Sequence, residues 1–138
     1  MNESIAIWNT LHDGEITVLE MSGDTLTMFV NVPYIRERIR PLGDSFALKL
    51  HGVRSIRFSN SEGKLQSEDW RDLARSGIEI LSTDSTEMPV RISTTQGFLD
   101  LDFERLQIEL DTGGIVPYSD VLAACESFWE EWSNRSKK

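Results

Sequence analysis

The residues with the most chemical potential stand together near the start of the chain, in the run His12-Asp13-Gly14-Glu15. An imidazole beside carboxylates can bind a metal ion or act as a general acid–base pair. Neighbouring residues of an extended chain point in opposite directions, so His12 and Asp13 converge on one ion only in an unusual turn. A turn in which Asp13 bonds the local backbone and Gly14 takes a positive φ is the simpler interpretation.

The second histidine, His51, precedes Gly52 at the end of a predicted strand, which is typical of a solvent-exposed hairpin terminus. If the two histidine turns meet at one edge of the sheet, four side chains could form a metal or catalytic site. These alternative ligands are His12, Asp13, Glu15 and His51. The sequence leaves this alternative open, and it predicts no other metal site and no cofactor.

Acidic residues alternate with apolar ones on one predicted strand near the end of the chain. Because side chains alternate between the faces of a strand, Asp100, Asp102 and Glu104 share one face. Like charges at this spacing repel each other, so they do not stabilise the fold. They are typical of a solvated face, or of a surface that attracts a basic protein partner through complementary charge. The candidate partner-binding residues are Asp100, Asp102, Glu104, Glu109 and Asp111.

The single cysteine, Cys125, falls on the apolar stripe of the last predicted helix. Burial there would raise the pKa of the thiol and leave it inert. One thiol forms no internal disulfide and no zinc framework. The chain also has no Gly-rich phosphate loop, no Gly-x-Ser-x-Gly elbow and no His-Glu-x-x-His motif. These absences favour an interaction protein over an enzyme.

Length and composition predict one soluble domain spanning residues 1–138, with 39% hydrophobic and 27% charged residues. The net charge of -9 makes binding to nucleic acid unfavourable. No apolar run is long enough to span a membrane, and the N-terminus lacks the basic start of a secretory signal, so a cytoplasmic location is expected. The charge is uneven, because basic residues concentrate between Pro33 and Phe58 and acidic residues between Phe98 and Trp132.

The hydrophobic pattern predicts an α+β fold, with an antiparallel, meander-like curved sheet of about 7–9 strands. A C-terminal amphipathic helix covers one face of the sheet, and one or two short helices complete the fold. Period-two alternation predicts a hairpin, a second strand pair separated at Gly52, and three later strands; a turn or bulge at Glu104-Arg105 explains a change of phase before a last strand. The predicted strands, in that order, are Glu15–Met21, Thr25–Val32, Ser45–His51, Val53–Ser59, Ile78–Leu81, Met88–Thr94, Phe98–Phe103 and 106–110.

The sequence pattern predicts three helical segments, some more clearly than others. The excursion Tyr34–Arg40 makes one or two turns with its arginines outward, and Ser67–Arg75 reads as a short helix. The terminal helix, capped by Ser119, is the strongest prediction. Its apolar stripe is expected to close the core, and an edge of the stripe left uncovered would serve as a homodimer contact. The stripe comprises Val121, Leu122, Cys125, Phe128, Trp129 and Trp132.

The stretch Leu11-His12-Asp13-Gly14-Glu15-Ile16, with the hairpin and the Pro33-Tyr34-Ile35-Arg36 excursion after it, resembles small uncharacterised bacterial proteins that open with a His-Asp-Gly turn. Some of these proteins are grouped with immunity proteins of toxin systems. The resemblance covers about the first sixty residues. It implies a bacterial source and an interaction role, and it brings no functional residues with it.

Three hypotheses of function follow. The first is a protein-interaction module, in its narrower form an immunity-type inhibitor, with an acidic surface for a basic partner. The second is a small enzyme or metal-binding domain that uses the histidine cluster. The third is a carrier in which sheet and helix enclose a small apolar ligand.

Overall fold

A computed structural model of the chain describes residues 2–60, 65–67 and 77–136. Within these ranges three helices and nine strands occur. In chain order they are α1 (Glu3–Thr10), β1 (Glu15–Ser22), β2 (Thr25–Asn31), α2 (Pro33–Arg36), β3 (Ser45–His51), β4 (Ser55–Asn60), β5 (Leu65–Ser67), β6 (Ile80–Thr83), β7 (Val90–Thr94), β8 (Gly97–Asp102), β9 (Arg105–Leu110) and α3 (Tyr118–Ser136). The predicted helix over Ser67–Arg75 lies outside the described residues, apart from its first position.

The predicted α+β class and the antiparallel strand pairing are confirmed. The described strands lie in two sheets, which we name sheet A, with the order β1-β2-β3-β9, and sheet B, with the order β5-β4-β8-β7-β6. A single bridge between Glu15 and Glu79 joins the start of β1 to the approach of β6. The sheets are therefore linked along one side by backbone pairing.

A bent ribbon links the two sheets at a second place, where β3 continues into β4 and β8 continues into β9. The amide of Arg54 donates to the carbonyl of Asp102 at 2.8 Å, and the amide of Glu104 donates to the carbonyl of His51 at 2.9 Å. Gly52 has φ +69, and a Cβ there would lie 2.8 Å from the Glu104 carboxylate. Strands that change sheet through such bends form the corners of two-sheet folds.

This corner corrects one prediction and confirms another. The segments on either side of Gly52 do not pair as a hairpin: β3 pairs with β2 and β9, and β4 pairs with β5 and β8. The predicted change of phase at Glu104-Arg105 is confirmed, because β8 ends at Asp102 and β9 begins at Arg105. The chain bends between them, so the buried positions change from odd to even numbers.

The core lies between the inner faces of the sheets and is closed by the helices. Helix α1, which the sequence analysis did not predict, contributes the fully buried Trp8, whose indole N–H donates to the Ser4 carbonyl at 2.8 Å. Asn2 caps α1 by accepting a hydrogen bond from the Ser4 amide at 3.1 Å, and Glu3 suits its positive end. The cap is visible in the sequence, but eight residues are too few for a clear period.

The expectation that the arginines after Pro33 point outward is wrong for Arg36, which is fully buried. Its guanidinium forms an ion pair with Asp111 at 2.9 Å and donates to the carbonyls of Ser45 at 3.1 Å and Ile39 at 3.0 Å. A buried charge is tolerated only when it is paired and hydrogen-bonded. Arg36 therefore ties α2 to the adjoining ends of β3 and β9.

Helix α3 begins at Tyr118, so Ser119 is inside the helix and is not its cap. Its inward face loses cover along its length: Val121 is 0% exposed, Cys125 9%, Trp129 42% and Trp132 55%. The prediction that both tryptophans close the core is wrong, because the last turns extend past the part of the domain that covers the stripe. Among the described residues no helix is long and apolar enough to cross a membrane.

Candidate functional site

His12 and Asp13 lie in the turn after α1 and are both about half exposed to solvent. The ring nitrogen Nδ1 of His12 lies 2.6 Å from the carbonyl of Leu81, so this nitrogen carries a proton and donates it. Nε2 lies 3.4 Å from the Asp13 carboxylate. Asp13, and not Gly14 as predicted, has the positive φ of the turn, at 68°. Gly14 is needed for space instead, because a Cβ there would lie 2.5 Å from Val30.

His51 lies far from this turn. Its Nδ1 is 3.2 Å from the hydroxyl of Thr25 at the first residue of β2, whereas Glu15 pairs with Asn31 at the last residue of β2. The six steps between Thr25 and Asn31 correspond to roughly 20 Å of strand. The structure therefore does not bring His12 and His51 together. The described residues also contain no group of three His, Cys, Asp or Glu side chains that could hold a metal ion.

The predicted acidic row lies on the outer face of sheet B, with arginines among its members. Asp100 accepts from Arg91 at 3.0 Å and lies directly opposite Arg57 on β4. A further arginine, Arg54, forms ion pairs with the last two members of the row, at 3.0 Å to Asp102 and 3.2 Å to Glu104. Among the described residues of this face, the three carboxylates thus lie next to three guanidinium groups.

The other two candidate partner-binding residues lie on a different sheet. Glu109 is on β9 of sheet A, opposite Ala47, and accepts a hydrogen bond from Gln107 at 3.2 Å. Asp111 follows β9 and binds the buried guanidinium of Arg36. The five acidic residues are therefore divided between two faces, and Asp111 has a structural partner.

A cluster of four aromatic side chains lies where α2 meets the second half of α3, and we name it the aromatic ridge. Its ring centroids are 4.6 Å apart for Tyr34 and Phe128, 5.1 Å for Phe128 and Trp129, and 5.9 Å for Trp129 and Trp132. The tilted and edge-to-face packing within the cluster is the geometry that aromatic pairs prefer. The two tryptophans are exposed large apolar side chains at the end of this stack.

Hydrogen bonds fix the inner half of the aromatic ridge. The hydroxyl of Tyr34 donates to the carbonyl of His12 at 2.5 Å, and burial raises the pKa of this phenol, so it remains a donor. The thiol of Cys125, one turn before Trp129 on α3, donates to the carbonyl of Thr10 at 3.5 Å. Burial raises the pKa of the Cys125 thiol, as predicted, although the hydrogen bond from Trp129 acts in the opposite direction. The inner half of the ridge is thus held in place by contacts within the chain.

One side of the aromatic ridge is bordered by a small ionic network. Arg38 lies 5.4 Å above the ring of Phe128 and donates to Ser127 at 3.1 Å and to Glu131 at 2.7 Å. Glu131 also pairs with Arg135 one turn later. The hydrogen bond and charge of Arg38, followed by the charge of Arg135, lower the pKa of Glu131. Both arginines are therefore already occupied.

A groove of about 390 Å³ lies beside this network, between the turn after α2 and α3. It is lined by Arg38, Ile39, Asp120, Ala123, Ala124 and Ser127. Ligand pockets are usually concave and mostly apolar, with a few convergent polar groups. This groove is widely open to solvent and does not enclose a ligand, so the carrier hypothesis gains no support from it.

The sequence predicts a homodimer contact at any uncovered edge of the terminal stripe, but it places the tryptophans in the core. The sequence does not show how far the rest of the fold extends along the inward face of α3, because that extent depends on pairing between distant parts of the chain. The partners Tyr34 and Arg38, about ninety residues earlier, also carried no signal in the sequence.

Comparisons of the chain with protein-family models, with curated proteins and with solved structures found no match. The resemblance of the first sixty residues to proteins with a His-Asp-Gly turn therefore stays a prediction.

Proposed function

We propose that this protein acts by binding another protein, and that the aromatic ridge is its contact surface. The observation that carries the proposal is the loss of cover along α3, which leaves Trp129 42% and Trp132 55% exposed on a preformed stack. Tryptophan, tyrosine and arginine are the residues most enriched at the energetic centres of protein interfaces. Within the ridge, Tyr34 packs edge-on against Trp129 with ring centroids 6.1 Å apart, and Arg38 lies over the ring of Phe128.

The energetic scale is adequate for such a role. A large aromatic side chain buries about 150–250 Å² when it is covered. The uncovered halves of Trp129 and Trp132 therefore amount to roughly 200 Å², and covering them would contribute about 5 kcal/mol at about 25 cal/mol per Å². Binding would cost little ordering of this chain, because the two tryptophan rings are already packed in the stack.

The test compares two surfaces in one experiment. The wild-type chain, the ridge variant Trp129→Ala/Trp132→Ala and the sheet variant Asp100→Asn/Asp102→Asn/Glu104→Gln are used to capture proteins from a bacterial lysate. Each captured protein is identified, purified and titrated against all three chains by calorimetry. Circular dichroism verifies that the variants are folded.

We expect the ridge variant to weaken binding of the purified partner by more than about thirtyfold, which corresponds to about 2 kcal/mol. The sheet variant should bind within about threefold of wild type. Loss of binding in the sheet variant alone would instead support the acidic face as the partner surface. Equal binding by all three chains would rule out both surfaces.

The immunity-type inhibitor is a narrower form of this proposal, in which the partner is a toxin. Its support is the resemblance of the first sixty residues, which include Tyr34 of the aromatic ridge. The expected result is that the captured protein is toxic when expressed alone and harmless together with the wild-type chain. Protection by the ridge variant as strong as that by wild type would contradict it.

The enzyme and metal-binding alternatives have weaker support. His12 and His51 lie at opposite ends of β2, and the remaining candidates His12 and Asp13 form a half-exposed pair with no third ligand among the described residues. Calorimetric titration of the purified chain with zinc, manganese and nickel tests this alternative. Saturable heat of metal binding that is lost in His12→Ala would support the metal-binding alternative.

A further inference from the structure

We infer that the partner segment bound by the aromatic ridge is basic and amphipathic, with apolar side chains flanked by lysine or arginine. This inference rests on the proposed function and adds the chemistry of the partner. It follows from the distribution of charge around Trp129 and Trp132, and from which of those charges are already paired inside the chain.

Two carboxylates border the tryptophans on one side, and we name them the acidic flank. With about 100° per residue, Glu126 lies roughly 60° and Glu130 roughly 100° round the helix from Trp129, whereas Trp132 lies roughly 60° in the other direction. Both glutamates are exposed. Within the described part of the chain neither has an ion-pair partner. The acidic flank is thus available to a partner that covers the tryptophans.

Among the described residues, the arginines beside the aromatic ridge are already paired. Arg38 and Arg135 both bind Glu131 on the opposite side of the stack. An acidic partner would have to break these pairs and would also meet the acidic flank. A basic partner would meet two carboxylates that have no ion pair among the described residues, and it would leave the network of Arg38, Glu131 and Arg135 intact, so complementary charge favours it.

The acidic flank also has no evident role in folding. Glu126 and Glu130 stand four residues apart on α3, where like charges repel each other and destabilise the helix. Because the pair repels itself in the free chain, a cation placed between its members relieves that repulsion on binding.

A second copy of the chain is a poorer occupant. It would bring the same flank of Glu126 and Glu130 and a net charge of -9 toward an equal charge. An anionic membrane surface is disfavoured for the same reason, since interfacial helices of this kind need basic residues beside their aromatic ones. Both occupants are outcomes of the test.

The probes are two short dye-labelled peptides patterned as amphipathic helices, one of leucine and lysine and one of leucine and glutamate. Their binding to the full chain is measured by fluorescence anisotropy at low and high salt. The test variant is Glu126→Gln/Glu130→Gln. The matched control, Glu20→Gln/Glu87→Gln, removes the same charge from exposed positions on β1 and before β7, without touching α3. The ridge variant Trp129→Ala/Trp132→Ala completes the set.

We expect the lysine peptide to bind and the glutamate peptide to bind at least tenfold more weakly. Added salt should weaken the binding of the lysine peptide, because salt screens the charges of the exposed acidic flank. The affinity for the lysine peptide should fall by roughly threefold to tenfold in the test variant and by less than about twofold in the matched control. The ridge variant should abolish binding.

Equal effects of the test variant and the matched control would overturn the inference, because binding would then follow net charge alone. A glutamate peptide that binds as tightly as the lysine peptide, but still requires the tryptophans, would overturn the inference and leave the proposed function standing. Peptide binding that does not require the tryptophans would overturn both the inference and the proposed function. A tryptophan-dependent dimer in analytical ultracentrifugation, or tryptophan-dependent binding to anionic vesicles, would replace the basic segment as the occupant.

Discussion

The strongest stability prediction concerns the buried pair of Arg36 and Asp111, and the perturbation is Asp111→Asn. The guanidinium has no exposed surface and binds Asp111 through Nε at 3.0 Å and Nη2 at 2.9 Å. The same carboxylate accepts from the amides of Asp44 at 3.1 Å and Ser45 at 3.2 Å. The substitution keeps the shape of the side chain but removes the charge that compensates Arg36.

Removing one member of a buried ion pair costs about 3–5 kcal/mol, because the other charge stays buried without compensation. Asparagine retains an oxygen that can accept part of these hydrogen bonds, so we expect about 3 kcal/mol for Asp111→Asn. Asp100→Asn is the matched control. It removes the same kind of ion pair, but its partner Arg91 is 54% exposed, and the expected loss is below about 1 kcal/mol.

Urea unfolding at pH 7, followed by circular dichroism, measures both variants. With a slope of about 1–3 kcal/mol per M, the Asp111 variant should unfold at a midpoint about 1–3 M lower than wild type. Similar small losses for Asp111→Asn and Asp100→Asn would refute the reasoning, because burial of Arg36 would then have no energetic consequence.

The pH dependence provides an independent check of the same interaction. Burial acts to raise the pKa of Asp111, but hydrogen bonds from the Asp44 amide, from Arg36 and from the Ser45 amide outweigh it, and the pKa is lowered. A lowered pKa means that this carboxylate stabilises the fold fully above its unfolded pKa, near 3.9, and that the contribution is lost as the pH falls through its folded pKa. The difference between wild type and Asp111→Asn should therefore shrink below about pH 4. A difference that stays constant would argue against this origin.

Three further predictions concern other parts of the chain. Cys125 should react with a thiol reagent only slowly at pH 7.5, because burial raises the pKa of its thiol; labelling as fast as in urea would contradict this. Gly14→Ala should cost about 1–3 kcal/mol in urea unfolding, because the new methyl group would lie 2.5 Å from Val30, and an unchanged midpoint would show that the turn adapts. Tyr34→Phe should cost about 1–2 kcal/mol by leaving the carbonyl of His12 without its donor, and a more stable variant would show that this hydrogen bond is not worth its desolvation.

Local periodicity was sufficient for much of the architecture. The alternation over Thr25–Val32 and Phe98–Phe103 predicted β2 and β8 and their buried faces, and the phase change at Glu104-Arg105 predicted the bend. Those signals depend on neighbours in the sequence, because a strand with one buried face needs an apolar residue at every second position. The type of fold could be predicted for the same reason.

The pairing between distant strands could not be predicted in this way. Whether Ser45–His51 pairs with the next segment or with β9 depends on contacts about sixty residues apart. The pairing of β4 and β8 also decides the charge of the outer face of sheet B, because it places Arg57 beside Asp100. The acidic row of the sequence therefore lies among arginines in the described part of this face.

The sequence by itself determined that α3 is an amphipathic helix with aromatic residues on its stripe, since that property depends only on the spacing of side chains along one helix. Only the tertiary structure decided where the stripe loses its cover, and so left Trp129 and Trp132 exposed. The physical reason is that periodicity fixes the direction in which a side chain points, whereas its burial depends on the extent of the surface that the rest of the chain places opposite it.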